Sequence, residues 1–108
     1  MLDIYAVSLV VVKEVAGLAG AIGEFDRDLA RQLRRSIASV ALNVAEGSGG
    51  EGGTRRQRYK DALGSARESL ANLEAASAVG YIQPISAELS RRFDHIIGVL
   101  VRCVYPRR

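Results

Sequence analysis

A chain of 108 residues leaves room for one domain with a modest core, so a single unit over residues 1–108 is expected. Apolar residues make up 48% but aromatics only 6%, with no tryptophan, which favours packed helices of Ala, Val, Leu and Ile over a sheet sandwich. The net charge of +3 is mild, and the sole cysteine, Cys103, excludes an internal disulfide or a Cys-based metal site; it is expected to be a small buried apolar residue.

The first periodic segment begins near Ile4. At 100° per residue, Ile4, Tyr5, Leu9, Val11, Val12, Val15, Ala16, Leu18, Ala19 and Ile22 cover roughly 200°, against the ~100° stripe of an ordinary surface helix. A four-helix monomer covers only part of such an arc. The excess predicts an intersubunit surface and a homo-oligomer; the alternative is a helix buried centrally in a monomer. Lys13 and Glu14 interrupt the segment, and its apolar stretches read as too short to span a bilayer. The start "MLDIY" lacks the positive n-region of a signal peptide. No membrane contact and a cytoplasmic location are therefore expected.

Phe25-Asp26 marks a tight turn, with Asp26 as N-cap of the next helix and Asp28 favourable near its start. In that second helix Leu29, Leu33, Ile37, Val40 and Val44 recur at spacings of three and four. Next comes "NVAEGSGGEGGTRRQ", in which Gly47, Gly52 and Thr54 sit where a P-loop has its glycines and hydroxyl. A P-loop also needs a preceding strand and a phosphate-binding lysine. Here the preceding residues are helical in period and Gly53 holds the lysine position. The stretch reads as a hairpin loop, in which Gly47 stops the second helix and Thr54 caps the third.

The third helix follows Tyr59, Leu63, Ala66, Leu70, Leu73 and Ser77, a coiled-coil-like seam. Gly80-Tyr81 ends it, and Ser86 or the Gln83-Pro84 pair starts the fourth, whose stripe is Ile85, Leu89, Phe93, Ile96, Leu100 and Val104. Short links make sequential helices antiparallel. The expected fold is all-α, an antiparallel up-down four-helix bundle.

Two features of this frame carry functional possibilities. Polar residues form facing rows: Ser39, Asn43 and Glu46 on the second helix, and Arg58, Asp61, Ser65, Glu68 and Asn72 on the third. Ser39, Asn43, Glu46, Ser65 and Glu68 are predicted to make a structural hydrogen-bonded seam, which fixes register at some cost in stability. The second feature is charge. Between Arg27 and Arg67 nine basic residues face four acidic ones, a local +5, and 13 of the chain's 15 basic residues are arginine. Arg27, Arg31, Arg34 and Arg35 on the second helix, with Arg55, Arg56, Arg58 and Lys60 on the third, are the candidate nucleic-acid contacts. Without an aromatic-rich surface beside them, binding would be driven by shape or charge.

Catalysis finds no support. Glu46 and Glu68 have no histidine or nucleophilic cysteine in the pattern, and the only histidine, His95, follows no glutamate at di-iron spacing and reads as solvent-facing. The expectation is a non-enzyme with no catalytic residues, no metal and no cofactor.

Two blocks carry a resemblance. "QLRRSIASVALNVAEGSG", Gln32 to Gly49, strongly resembles the signature of the intervening-sequence family, small bacterial four-helix bundle proteins encoded within some large-subunit ribosomal RNA genes. The match lies in Gln32 to Arg35, Ser39-Val40 and Asn43 to Gly47. "ALGSARESLANLEAA" resembles the family's second block through Ala62, Gly64, Ser65 and Glu68. The family usually carries a bulky aromatic early in the first helix and a proline-containing turn after it. Here Tyr5 and the proline-free "EFDRD" predict a shorter first connection. The resemblance implies a non-enzymatic homopentamer. It also implies kinship with the accessory variability determinant of diversity-generating retroelements, which binds nucleic acid and a reverse transcriptase. Two function classes follow. One is an accessory protein binding RNA or DNA, and possible protein partners such as a reverse transcriptase, through its arginines. The other is a protein-protein scaffold without nucleic-acid binding, in which those arginines pair with Glu24, Glu51 or Glu74.

Overall fold

The computed structural model describes residues 3–107. Its elements are α1 (Ile4–Gly23), α2 (Arg27–Gly49), α3 (Gly52–Ala78) and α4 (Ala87–Val104). Each helix lies antiparallel against its sequence neighbour and α4 returns beside α1, closing the four-helix bundle that the periodicity predicts. The molecule measures 43 × 24 × 20 Å. Its long axis is set by α3, whose 27 residues at ~1.5 Å each reach about 40 Å.

Local chemistry places the helix ends. Asp3, Asp26 and Ser86 are N-caps whose side chains accept from the backbone N–H groups of Ala6, Leu29 and Leu89, at 3.1, 3.0 and 3.1 Å. The first connection is only Glu24–Asp26, as the proline-free turn predicts. At the end of α3, Gly80 adopts φ +88°, and the Tyr81 and Gly80 N–H groups donate to the carbonyls of Ala76 and Ser77. This is a Schellman cap, which needs a residue tolerant of the left-handed region.

The α2–α3 junction departs from the sequence reading. α2 does not stop at Gly47 but runs to Gly49, leaving Gly50 and Glu51 as the whole link. Gly47 is buried inside the helix because the Tyr59 ring packs against its bare Cα; a Cβ there would lie 2.5 Å from Tyr59 Cε1. Nor is Thr54 the cap of α3. That helix begins at Gly52, φ +56°, after Glu51, which makes no side-chain cap bond, so Thr54 lies within the first turn.

The core combines Val11, Val15, Ala19 and Ile22 of α1 with Leu33, Ile37, Val40 and Val44 of α2. α3 adds Tyr59, Leu63, Ala66 and Leu73, and α4 adds Leu89, Phe93, Ile96, Leu100 and Val104. Two expectations fail at its edge. Cys103 is exposed, because it sits beside the α4 stripe in the last turn rather than on it. His95 is half-buried rather than solvent-facing. A third correction concerns α1, which is long and apolar enough, by length and composition, to cross a membrane. Its inner face nevertheless packs into the core, and Glu14 pairs with Arg92 of α4 at 3.4 Å.

The outer face of α1 is unlike that of an ordinary amphipathic helix. Its exposed residues are Tyr5, Ala6, Leu9, Val10, Lys13, Ala16, Gly17, Gly20 and Ala21, and Lys13 alone carries a charge. The bundle thus covers one side of the wide apolar arc, with Val11, Val15, Ala19 and Ile22 in the core, and leaves Tyr5, Leu9 and Ala16 of it exposed.

Candidate nucleic-acid interface

The eight candidate basic residues separate into two clusters. From Arg27 to Gly47, level with the start of α3, is about 30 Å along α2, so the clusters lie toward opposite ends of the bundle. They differ in how their charge is used.

At the α1–α2 end, Arg27, Arg31, Arg34 and Arg35 line an open groove of about 450 Å³, together with Ala30 and with Gly20 and Gly23 of α1. The i, i+4, i+7 spacing of Arg27, Arg31 and Arg34 puts them on one side of α2, and the glycines of α1 leave the facing wall without side chains. Arg31 makes only a long, exposed contact with Asp28, 3.7 Å. Arg27, Arg34 and Arg35 have no carboxylate partner among the described residues. Four exposed guanidinium groups thus share one concave surface.

At the other end the charges are largely spoken for. Arg58 pairs with Glu46 at 3.0 Å. Arg56 Nε donates to the Val104 carbonyl at 2.8 Å and its guanidinium lies 5.8 Å from the Tyr105 ring centroid, so it closes the C-terminus of α4, where cations are favoured. Arg55 sits 5.4 Å from the Tyr59 ring centroid. Lys60 is exposed, with no carboxylate partner among the described residues. The positive charge crowded at the start of α3 is therefore offset by neighbours within the chain, one of them Glu46. Glu24, Glu51 and Glu74 form no ion pair among the described residues.

The polar rows meet between α2 and α3. Asn43 Nδ2 donates to the Ser39 carbonyl and hydroxyl at 3.0 and 2.9 Å, and Ser65 Oγ donates to Ser39 Oγ at 2.8 Å. Glu68 is exposed and outside this network. The deepest polar contact was not foreseen: Ser69 Oγ is 2.8 Å from both Ser36 Oγ and the Ser65 carbonyl, and both serines are buried. The signal was Ser36 three residues before Ser39, and Ser69 four after Ser65, in otherwise apolar stripes. Asn72 Nδ2 is buried without a partner.

These contacts set different magnitudes. Ser36→Ala and Ser69→Ala should each cost about 1 kcal/mol, and the double variant less than their sum, because the partner left unpaired is removed as well. Denaturant melts of the cycle test this; strict additivity would deny the coupling. Glu46→Ala should cost no more than about 1 kcal/mol, since Glu46 and Arg58 are 57% and 46% exposed and water screens the pair.

No group of three or more His, Cys, Asp or Glu residues able to hold a metal occurs among the described residues. The arrangement defines a class: a small antiparallel four-helix bundle with an arginine-lined groove between its first two helices. The sequence pattern of the 23S rRNA-intervening sequence protein matches residues 1–102, and the chain belongs to that family. Among solved structures it is similar to a protein of unknown function from the S23 ribosomal protein family of Bacteroides thetaiotaomicron VPI-5482, with a TM-score of 0.80, 18% identity, and coverage of 95% of this chain and 99% of that one. At that identity the likeness speaks for the fold. No curated protein matches the chain.

Proposed function

We propose that this protein is a non-enzymatic, cytoplasmic accessory protein that assembles with copies of itself, as a pentamer, and binds RNA or DNA through the α1–α2 groove. The observation that carries the reading is the set of four exposed arginines on one concave surface, three of them without a carboxylate partner among the described residues. Arginine presents a planar fork that suits phosphate oxygens. A few such contacts bind weakly in one subunit, and repetition around an assembly multiplies them. The α3 cluster is left out of this binding surface, because Arg56 and Arg58 are engaged within the chain, at the Val104 carbonyl and at Glu46.

The test is an electrophoretic shift with RNA and with DNA at two salt concentrations. Four phosphate contacts should cost roughly 10²-fold in affinity between about 50 and 200 mM salt. The double reversal Arg34→Glu, Arg35→Glu should weaken binding at least tenfold, on the order of one lost charge-assisted contact or more, with the helical circular dichroism unchanged. Reversal of Arg56 would be a poor probe, since it also uncaps α4. No shift by the parent protein at low salt would leave the scaffold reading.

A further inference from the structure

The turn that joins the two walls of the arginine groove holds a feature that charge does not explain. Phe25, in the three-residue turn between α1 and α2, stacks on Tyr81 with ring centroids 5.2 Å apart and planes inclined by 5°. Tyr81 is half-buried and packs against the core, held by the Schellman cap of α3. Phe25 is 65% exposed. One face of its ring rests on Tyr81, and the other is open to solvent. A large aromatic ring that is ordered by a stack yet leaves most of its surface in water forgoes the burial that normally explains its presence.

Its position gives it a use. Phe25 lies two residues from Gly23 and two from Arg27, both of which line the groove, so its backbone stands at the groove's end while its ring leans on Tyr81 outside that lining. An aromatic face beside a track of guanidinium groups is the pairing that single-stranded nucleic acids require: cations follow the phosphates while a base stacks on the ring, whatever its identity. A duplex offers the same phosphates, but its bases are already stacked on one another. The nearby carboxylates do not close the track. Asp26 is committed to capping α2, Asp28 makes only a long, exposed contact that leaves Arg31 free to turn to a phosphate, Glu24 is in the turn itself, and Arg34 and Arg35 lie one to two turns further along the helix.

Resting on the groove as a nucleic-acid site, we infer that its ligand is single-stranded, with the backbone along Arg27, Arg31, Arg34 and Arg35 and one base stacked on the open face of Phe25. Tyr81 is the positioning residue that holds the ring.

The experiment is fluorescence anisotropy of the full chain with one short labelled oligonucleotide, used either alone or annealed to its complement. The parent binds the single strand more tightly than the duplex. Phe25→Ala weakens single-strand binding about five- to a hundredfold, the loss typical of one stacked base, and leaves duplex binding unchanged; Phe25→Tyr, which keeps the ring, binds like the parent. Thermal melts confirm that both variants fold, as the exposure of the side chain leads one to expect. If Phe25→Ala binds the single strand as well as the parent does, or the parent prefers the duplex, the stacking inference falls and the groove reading stands. If the parent binds neither form at low salt, both fall together.

Discussion

Replacing Gly47 by valine is expected to lower the stability of the bundle by about 2–3 kcal/mol, since forcing side-chain atoms into a packed site costs that order. A Cβ at this position would lie 2.5 and 2.7 Å from Tyr59 Cε1 and Cδ1, well inside contact distance. The ring has little freedom to retreat, because Tyr59 is buried between α2 and α3. The helix propensity gained by losing a mid-helix glycine is under about 1 kcal/mol and does not offset the clash. Gly47→Ala should therefore be milder in the same direction. Against a total stability of roughly 5–15 kcal/mol, the valine variant loses a large share. Denaturant melts read the loss, and adding Tyr59→Ala should make the pair less than additive by removing the atoms that clash. A Gly47→Val chain as stable as the parent would mean that the helices do not approach this closely.

The second large effect concerns assembly. In light scattering behind size exclusion the chain should elute at several times its mass of 11.6 kDa, near five-fold for the proposed pentamer. The outer face of α1 is the reason. Tyr5, Leu9 and Val10 are all 40% or more exposed, and one charge serves the whole face. Contiguous exposed apolar patches of this kind are rare on monomers. Leu9→Glu combined with Val10→Glu should shift the protein to the monomer mass while retaining its helix content, because neither side chain belongs to the core. A parent chain that runs as a monomer at micromolar concentration sinks the assembly proposal.

Much of the fold was legible in the sequence because a helical stripe is a local, repeating signal. Leu33, Ile37, Val40 and Val44 announce their helix without reference to any other, and Asp26 and Ser86 cap because their side chains reach backbone only three residues on. Gly47 was misread for the opposite reason. In a run of glycines it looks like a stop, and only the approach of Tyr59 from another helix reveals why a Cβ is missing. Ser36 and Ser69 were missed similarly: each resembles a tolerated surface serine until the two helices bring them to 2.8 Å. The candidate arginines were all visible, but not their division of labour. Whether a guanidinium is engaged depends on Glu46 or the Val104 carbonyl, and the latter is 48 residues away from Arg56 in the chain. The aromatic stack escaped notice because Phe25 and Tyr81 are far apart in sequence and meet only when α3 folds back along α2.

The closure of α1 against α4 has a consequence for how the bundle comes together. These two helices share the smallest of the interfaces between chain ends and neighbours, bridged by Arg92 to Glu14 across 78 residues. The α2–α3 hairpin, by contrast, has the largest interface and a two-residue link. Loop-closure entropy rises with the length of chain enclosed, so the hairpin is the natural nucleus and the α1–α4 seam the last to form. The order reverses on opening. Amide hydrogens at the outer edges of the first and last helices should exchange ahead of those in the hairpin, which makes this seam the place where the bundle breathes.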